Sequence, residues 1–298
     1  MAYAKINSIT NANMAKVNNA AKAALGKIGS IDAPASGADA PVTSGLIGYW
    51  RGSEGITTDT SGGTTTVSQW DNIASDRGGE ASQTWHMTQS TKAEQPTYDA
   101  TNKLVNFAGG STINRLVFDQ TKVNYDTTYT VIILTDISAI GFGVHLGGNS
   151  VQGYLRTAAS LQSPIYRHVG FTMWYPPYDS SDSDLTSNAN FDIIGWSWAA
   201  SPSDASGLGW ITGRHLFLED EDADPGNTTL YGSPSDKPLY VLGGYGDQTT
   251  NFIAQDIKEV MIFNKQVNQT EVTAIYNYMN GIVTLDGPPA DLDYYGSA

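Results

Sequence analysis

From Leu46 onward the chain alternates short apolar runs with turn residues: LIGYW (46–50), TVSQW (66–70), KLVNFAGG (103–110), YTVIILTDI (129–137), FGVHLGG (142–148), FDIIGWSWAA (191–200), GRHLFLED (213–220), PLYVLGGYGD (238–247) and DIKEVMIFN (256–264). Strand-length runs broken by Gly- and Asn-rich turns predict a mostly β, two-sheet antiparallel sandwich, and no helical spacing between the runs supports a parallel α/β sheet. One helix interrupts the pattern, in NKQVNQTEVTAIYNYMNG (264–281). Asn268 is placed to cap it, Glu271 three residues on completes a capping box, and Val272, Ile275, Tyr276 and Met279 form one apolar face. Gly281 is expected to end the helix in the left-handed conformation, and the helix to lie across a sandwich edge.

The first thirty residues follow a different period. Ile6, Ile9, Met14, Val17, Ala20, Ala21, Ala24, Leu25 and Ile28 are spaced by threes and fours with one five, as an amphipathic helix requires. Lys5, Lys16 and Lys27 recur every eleven residues, a repeat of about 3.67 residues per turn that keeps associating helices nearly straight or slightly right-handed. A narrow, alanine-rich stripe of this kind needs a partner, because a short helix is marginal in water. Two partners are open: the chain's own body, or other chains, in which case the segment is an oligomerisation or docking arm. The Gly-, Ala-, Ser- and Pro-rich GSIDAPASGADAPVTSG that follows favours the arm, since such composition makes an extended linker. The expected organisation is an arm over residues 1–31, a linker over 32–45, a jelly-roll body over 46–285 and a tail over 286–298.

Charge and composition narrow the partners. With Lys+Arg 16 against Asp+Glu 30 the formal charge is −14, which repels phosphate backbones and anionic headgroups, so neither nucleic acid nor a membrane is expected as partner. No apolar run reaches the length of a membrane-spanning helix, and the start lacks the apolar segment of a secretory signal, so folding in the cytoplasm is expected. The absence of cysteine excludes thiol catalysis, disulfides and thiolate metal sites.

Two resemblances rest on these residues. LIGYWRGSEG, TVSQWDNIASDRGG, QPTYDATNKLVNFAGGSTINRLVFD, FDIIGWSWAA, LYVLGGYGD and FIAQDIKEVMIFNKQVNQTEVTAIYNYMN resemble, in order, the landmarks of the concanavalin A-like lectin/glucanase superfamily, specifically its laminin-G-like modules. That resemblance implies a jelly roll and no particular activity, because the fold hosts lectins, hydrolases and inert spacers. KINSITNANMAKVNNAAKAALGKIGSI resembles the amino-terminal regions of structural proteins of tailed bacteriophages. Together they imply a non-enzymatic virion protein, a head decoration or fibre or a tail-associated fibre. It would be assembled in the host cytoplasm and docked on other virion proteins through residues 1–31. A homo-oligomer is expected, with a trimer among the candidate states. The rival readings are a carbohydrate-binding host-recognition module, with a cell-surface glycan as partner, and, more distantly, a glycoside hydrolase.

Candidate chemistry is sparse. A glucanase needs two carboxylates about 5 Å apart on one strand face, usually as E-x-D-x-E. The nearest cluster, FLEDEDADPGN, puts Asp220, Asp222 and Asp224 on one parity and ends in Pro225 and Gly226, which reads as a solvated hairpin tip. A cation site there, calcium being the natural choice, is the weaker alternative, and catalysis the weakest. No catalytic residue and no other cofactor is expected. Asp179, Asp182 and Asp184 lie in a Ser-rich stretch without the glycine and closing glutamate of a calcium loop. His86, His145, His168 and His215 are isolated from one another and read as structural, and LGGYGD opens no helix that would receive a phosphate. Trp174, Tyr175 and Tyr178 in MWYPPYD are candidates for glycan contact, for contact with a neighbouring subunit, or for local packing. Trp50, Trp70, Trp196 and Trp198 fall in strands that a sandwich buries.

Overall fold

The computed structural model describes residues 40–74, 85–110, 112–118, 123, 127–137, 143–148, 191–198, 239–244, 246 and 252–283, together with the backbone of the strands at 154–157, 164–168, 171–174, 208–212, 216–218 and 229–230. The chain divides into two units, Met1–Ala38 and Asp39–Ala298, and the described residues all belong to the second. The arm residues Ile6 to Ile28 lie outside them.

Described strands are β1 (Leu46–Arg51), β2 (Ile56–Ser61), β3 (Thr64–Trp70), β4 (Met87–Thr88), β5 (Thr97–Asp99), β6 (Leu104–Gly110), β7 (Leu116–Val117), β8 (Tyr129–Ile137) and β9 (Gly143–Gly147). They continue as β10 (Tyr154–Thr157), β11 (Pro164–His168), β12 (Phe171–Trp174), β13 (Asp192–Trp198), β14 (Leu208–Thr212), β15 (Leu216–Leu218), β16 (Thr229–Leu230), β17 (Val241–Leu242) and β18 (Phe252–Phe263). One helix, α1 (Gln269–Asn280), follows β18.

The first layer runs β15–β14–β13–β8–β18, and the far side of β18 is shared by β6, opposite Phe252–Ile257, and β1, opposite Glu259–Phe263. The second runs β16–β12–β11–β10–β9–β17–β7–β4–β3–β2. β5 pairs with both β6 and β3 and so carries the chain from one layer to the other. Among the described strands every pairing is antiparallel except the single Phe252↔Val144 match of β18 with β9. The two-layer antiparallel sandwich and the helix near the carboxyl end are those the apolar pattern predicts.

Between the layers lies a core to which β3 gives Val67 and Trp70, β6 Val105 and Phe107, β8 Val131 and Ile133, β13 Ile194 and Trp196, and β18 Ile257, Val260 and Ile262. Trp50, Trp70 and Trp196 are fully buried, as expected of sandwich tryptophans. Gly48 faces the Trp50 ring, where a Cβ would stand 2.5 Å from two ring carbons, so any larger residue would expel the indole. Gly62 and Gly63 both have positive φ and close the two-residue turn joining β2 to β3, which suits the twist of a hairpin.

Alternation in β8 sends Ile132 and Leu134 to the outer side of the first layer, where they meet Leu46 and Tyr49 of β1, Ile193 of β13 and Met261 and Phe263 of β18. α1 covers this second cluster with Val272, Ile275, Tyr276 and Met279, each at most 5% exposed. Burying four such side chains contributes about 1.5 to 3 kcal/mol apiece before ordering costs. The helix therefore lies over a sheet face, not across an edge as the sequence led us to expect, because β1, β8, β13 and β18 all present apolar residues on that side as well. Ala40 and Val42, which composition assigns to the linker, join the same cluster.

The capping box forms as predicted: the Asn268 side chain accepts from the Glu271 backbone N–H at 3.0 Å, and Glu271 accepts from the Asn268 N–H at 3.1 Å. Lys265 adds an ion pair to Glu271. Gly281 departs from expectation. Its φ of −78° and ψ of −16° are right-handed, because the last turn closes by tighter bonds from Gly281 N–H to the Tyr278 carbonyl and from Ile282 N–H to the Met279 carbonyl.

Candidate functional site

Few of the residues singled out from sequence fall within the described structure. Trp174 is the last residue of β12 and pairs through its backbone with Ile165; Tyr175, Tyr178, Asp220, Asp222 and Asp224 lie outside the described residues. Among the described residues no group of three or more histidine, aspartate or glutamate side chains is arranged to hold a metal, and no helix is long and apolar enough to cross a membrane. His86 pairs with Asp71 at 3.0 Å, and the LGGYGD glycines follow β17 as a turn. Two other constellations stand out.

The first sits beneath α1. A bulge between Ile257 and Glu259 flips the parity of β18, so that Glu259 shares the helix side with Met261 and Phe263. Its carboxylate, 1% exposed, faces Arg51 Nε at 3.3 Å, accepts from Tyr49 Oη at 3.0 Å and accepts from Tyr278 Oη at 3.3 Å. Arg51, itself buried, also donates to Tyr49 Oη and Tyr278 Oη and pairs with Glu54 at 3.2 Å. Tyr278 belongs to α1, so the network pins the helix to β1 and β18.

Burial pushes the Glu259 carboxyl up to about 7, with Arg51 and the two phenols pulling the other way. Burial likewise raises the Tyr278 phenol, to about 12, and raises that of Tyr49 further. A carboxyl poised near neutrality beside an arginine and two phenols has the composition of an acid–base site. Its placement gives it another use. With α1 seated, Glu259 is out of reach of a substrate, and its oxygens are engaged by Arg51, Tyr49 and Tyr278.

A second buried polar group lies between the layers. His145 Nδ1 is 2.7 Å from Gln255 Oε1, Thr135 Oγ1 donates to the same oxygen at 3.4 Å, and the His145 ring packs at 6.0 Å from Trp196. Burial holds the His145 imidazole down to about 4, so it is neutral at physiological pH.

These two sites give opposite pH dependences. Between its ordinary 4.5 and about 7, folded Glu259 keeps a proton that the unfolded chain releases, so its contribution to stability falls as pH rises through that window. Between 6.5 and about 4, unfolded His145 takes up a proton that the folded ring refuses, so its contribution falls as pH drops. Relative to the parent chain, Glu259→Gln should make stability rise more steeply with pH between about 4.5 and 6.5, and His145→Gln should make it fall more steeply. Urea unfolding at a series of pH values checks this; parallel profiles for all three proteins would contradict both assignments.

The second constellation is open to solvent. On the outer face of the second layer, β2, β3 and β4 form a concavity of about 450 Å³ whose lining includes Thr57, Asp59, Gln69, Thr88, Ser90 and Gln95. Its polar character follows from strand alternation: Val67 and Trp70 of β3 and Met87 of β4 point into the core, which leaves Gln69 and Thr88 outward as a cross-strand pair. The bulge opposite Thr57 and Thr58 adds Ser68 to the same rim. Behind the rim Gln95, 3% exposed, accepts from Thr66 Oγ1 at 2.5 Å and donates to Asp59 Oδ2 at 2.8 Å and to the Gln89 carbonyl at 2.9 Å. Nothing in the sequence marks this site, because its residues come from separate short segments with no shared motif.

No protein-family model and no curated protein matches the chain. Solved structures do. The Trypanosoma rangeli sialidase in complex with 2,3-difluoro-KDN is similar at 13% identity over 91% of this chain and 38% of that one, with a TM-score of 0.50. The binding domain of Paraclostridial Mosquitocidal Protein 1 is similar at 8% identity over 79% of this chain and 52% of its own, with a TM-score of 0.47. The chain thus spans little more than a third of the sialidase and about half of the second chain. The antiparallel β-sandwich is read from the strand pairings above; at 13% identity the likeness to the sialidase shows the fold alone and nothing finer.

Proposed function

We propose that the chain is a non-enzymatic structural protein of a tailed-bacteriophage particle, attached to other virion proteins through residues 1–31 and displaying its sandwich outward. The observation that carries this reading is the order of segments: an eleven-residue-repeat amphipathic stripe, a Gly/Ala/Ser/Pro-rich linker, then a jelly roll. The spent Glu259 cluster supports a non-enzymatic role, since the best acid–base group among the described residues is used to hold α1 in place. The charge of −14 suits a displayed, soluble surface.

The test is deletion of residues 1–31. The shortened chain should unfold cooperatively at the temperature of the full chain, because among the described residues both apolar clusters are built from Ala40 onward. Its incorporation into particles should be lost. A shortened chain that fails to fold, or one that is incorporated as well as the full chain, would overturn the reading.

A second reading, a carbohydrate-recognising module of a fibre, is favoured by one observation: the open, uncharged hydroxyl and amide groups over β2, β3 and β4.

A further inference from the structure

We propose that the concavity over β2, β3 and β4 binds a neutral pyranose, whose hydroxyls meet polar groups that the fold fixes in position and that have no hydrogen-bond partner among the described residues. This deepens the second reading above and does not depend on the docking arm.

The back of the site is rigid. Gln95 uses both the oxygen and the nitrogen of its amide on Thr66, Asp59 and Gln89. Gln89, also buried, accepts from the Thr91 N–H at 2.9 Å and donates to Glu94 Oε2 at 3.1 Å, and Glu94 is held in turn by Arg115 at 2.8 Å. Buried amides bonded on both ends cannot rotate away without leaving a donor or acceptor unpaired. Gln95 thereby fixes the Asp59 carboxylate through Oδ2.

The front of the site is unspent. Asp59 Oδ1, Gln69 Oε1 and the hydroxyls of Thr57, Thr88 and Ser90 make no hydrogen bond with any described residue, whereas Gln69 Nε2 is committed to Asp71 at 2.7 Å. Hydroxyls that both donate and accept, beside two acceptor-only oxygens, complement the vicinal hydroxyls of a sugar ring. Val117 supplies a small apolar patch for ring C–H groups. The volume falls within the range of about 300 to 1,000 Å³ usual for small-molecule sites.

Charge selects among sugars. Of the cations near the site among the described residues, Lys92 places its ammonium on the Asp59 backbone carbonyl at 2.6 Å and Thr66 Oγ1 at 2.7 Å, and Arg115 is paired with Glu94 at 2.8 Å. An acidic sugar would therefore face the Asp59 carboxylate and a chain of charge −14 without a free cation in the lining. No aromatic ring is among the described residues that line the site, so single-site affinity without stacking should be weak, with Kd on the order of 1 mM. Such affinity becomes useful only when copies are displayed together.

The experiment is amide NMR on the full chain with the methyl glycosides of glucose, galactose, mannose and N-acetylglucosamine, and with sialic acid. At least one neutral glycoside should shift the resonances of Gln69, Thr88 and Gln95 in the millimolar range, and sialic acid should not. Thr88→Val and Ser90→Ala, both on the open rim, should each weaken the titration about tenfold while leaving the melting temperature unchanged. No response to any neutral glycoside at about 50 mM, an equal response to sialic acid, or unweakened binding in both variants would overturn the proposal. Particle association reports on the arm alone, so failure here and failure of the virion reading remain distinct.

Discussion

Ile275→Asp should destabilise the protein by about 3 to 5 kcal/mol and lower its melting temperature by roughly 10 °C. Ile275 is 1% exposed in the centre of the α1 face, among Leu46, Ile132, Met261 and Phe263. A carboxylate placed there has no cation in the cluster to pair with, so it must be buried bare, take up a proton, or lift the helix. All three routes cost stability. If calorimetry gives an unchanged melting temperature, the α1 face is not seated on the sheet and the second apolar cluster is misassigned.

Arg51→Met should have an effect of similar size, about 3 to 5 kcal/mol, through a different cause. The buried Glu259 carboxylate would keep its two phenol donors but lose the guanidinium that opposes its burial. Two features separate this from simple loss of packing. The defect should be largest above pH 7, where Glu259 must ionise, and should shrink at pH 5, where it holds a proton. Adding Glu259→Leu should recover much of the loss, because an apolar replacement of a buried ion pair is often tolerated better than half of one. A pH-independent defect, or a double variant less stable than Arg51→Met alone, would show that the pair is not coupled as described.

What was legible in the sequence follows from how side chains are partitioned. YTVIILTDI and DIKEVMIFN read as strands because a strand between the inter-sheet core and a helix is apolar on both faces, and the run survives as a continuous block. NKQVNQTEVTAIYNYMNG read as a helix because its capping box and its face are local. β2 left no mark: ITTDTS is exposed along most of its length and carries no alternation. β4, β7 and β17 are two residues each, too short for any period.

The candidate sites were largely illegible for a related reason. Glu259 and Tyr49 meet across 210 residues, and their encounter depends on a bulge that no local composition announces. The one available signal was a glutamate inside an apolar strand, which demands a buried partner and could have been paired with Arg51 at the end of another apolar run. The concavity depends on Gln95 and Asp59, 36 residues apart, and on outward positions of strands chosen for their inward ones. Contiguous acidic and aromatic clusters such as those around Asp222 and Tyr175 attract attention in a sequence, whereas polar sites assembled from isolated threonines and glutamines do not.

The central claim is that this chain is a displayed component of a particle. Electron microscopy of purified phage particles, with a label fused after the carboxyl-terminal DYYGSA, addresses it most directly. The account predicts label at regular positions on the outside of intact particles, absent when residues 1–31 are deleted. Label confined to the soluble fraction of the lysate, with none on particles carrying the full chain, would contradict it.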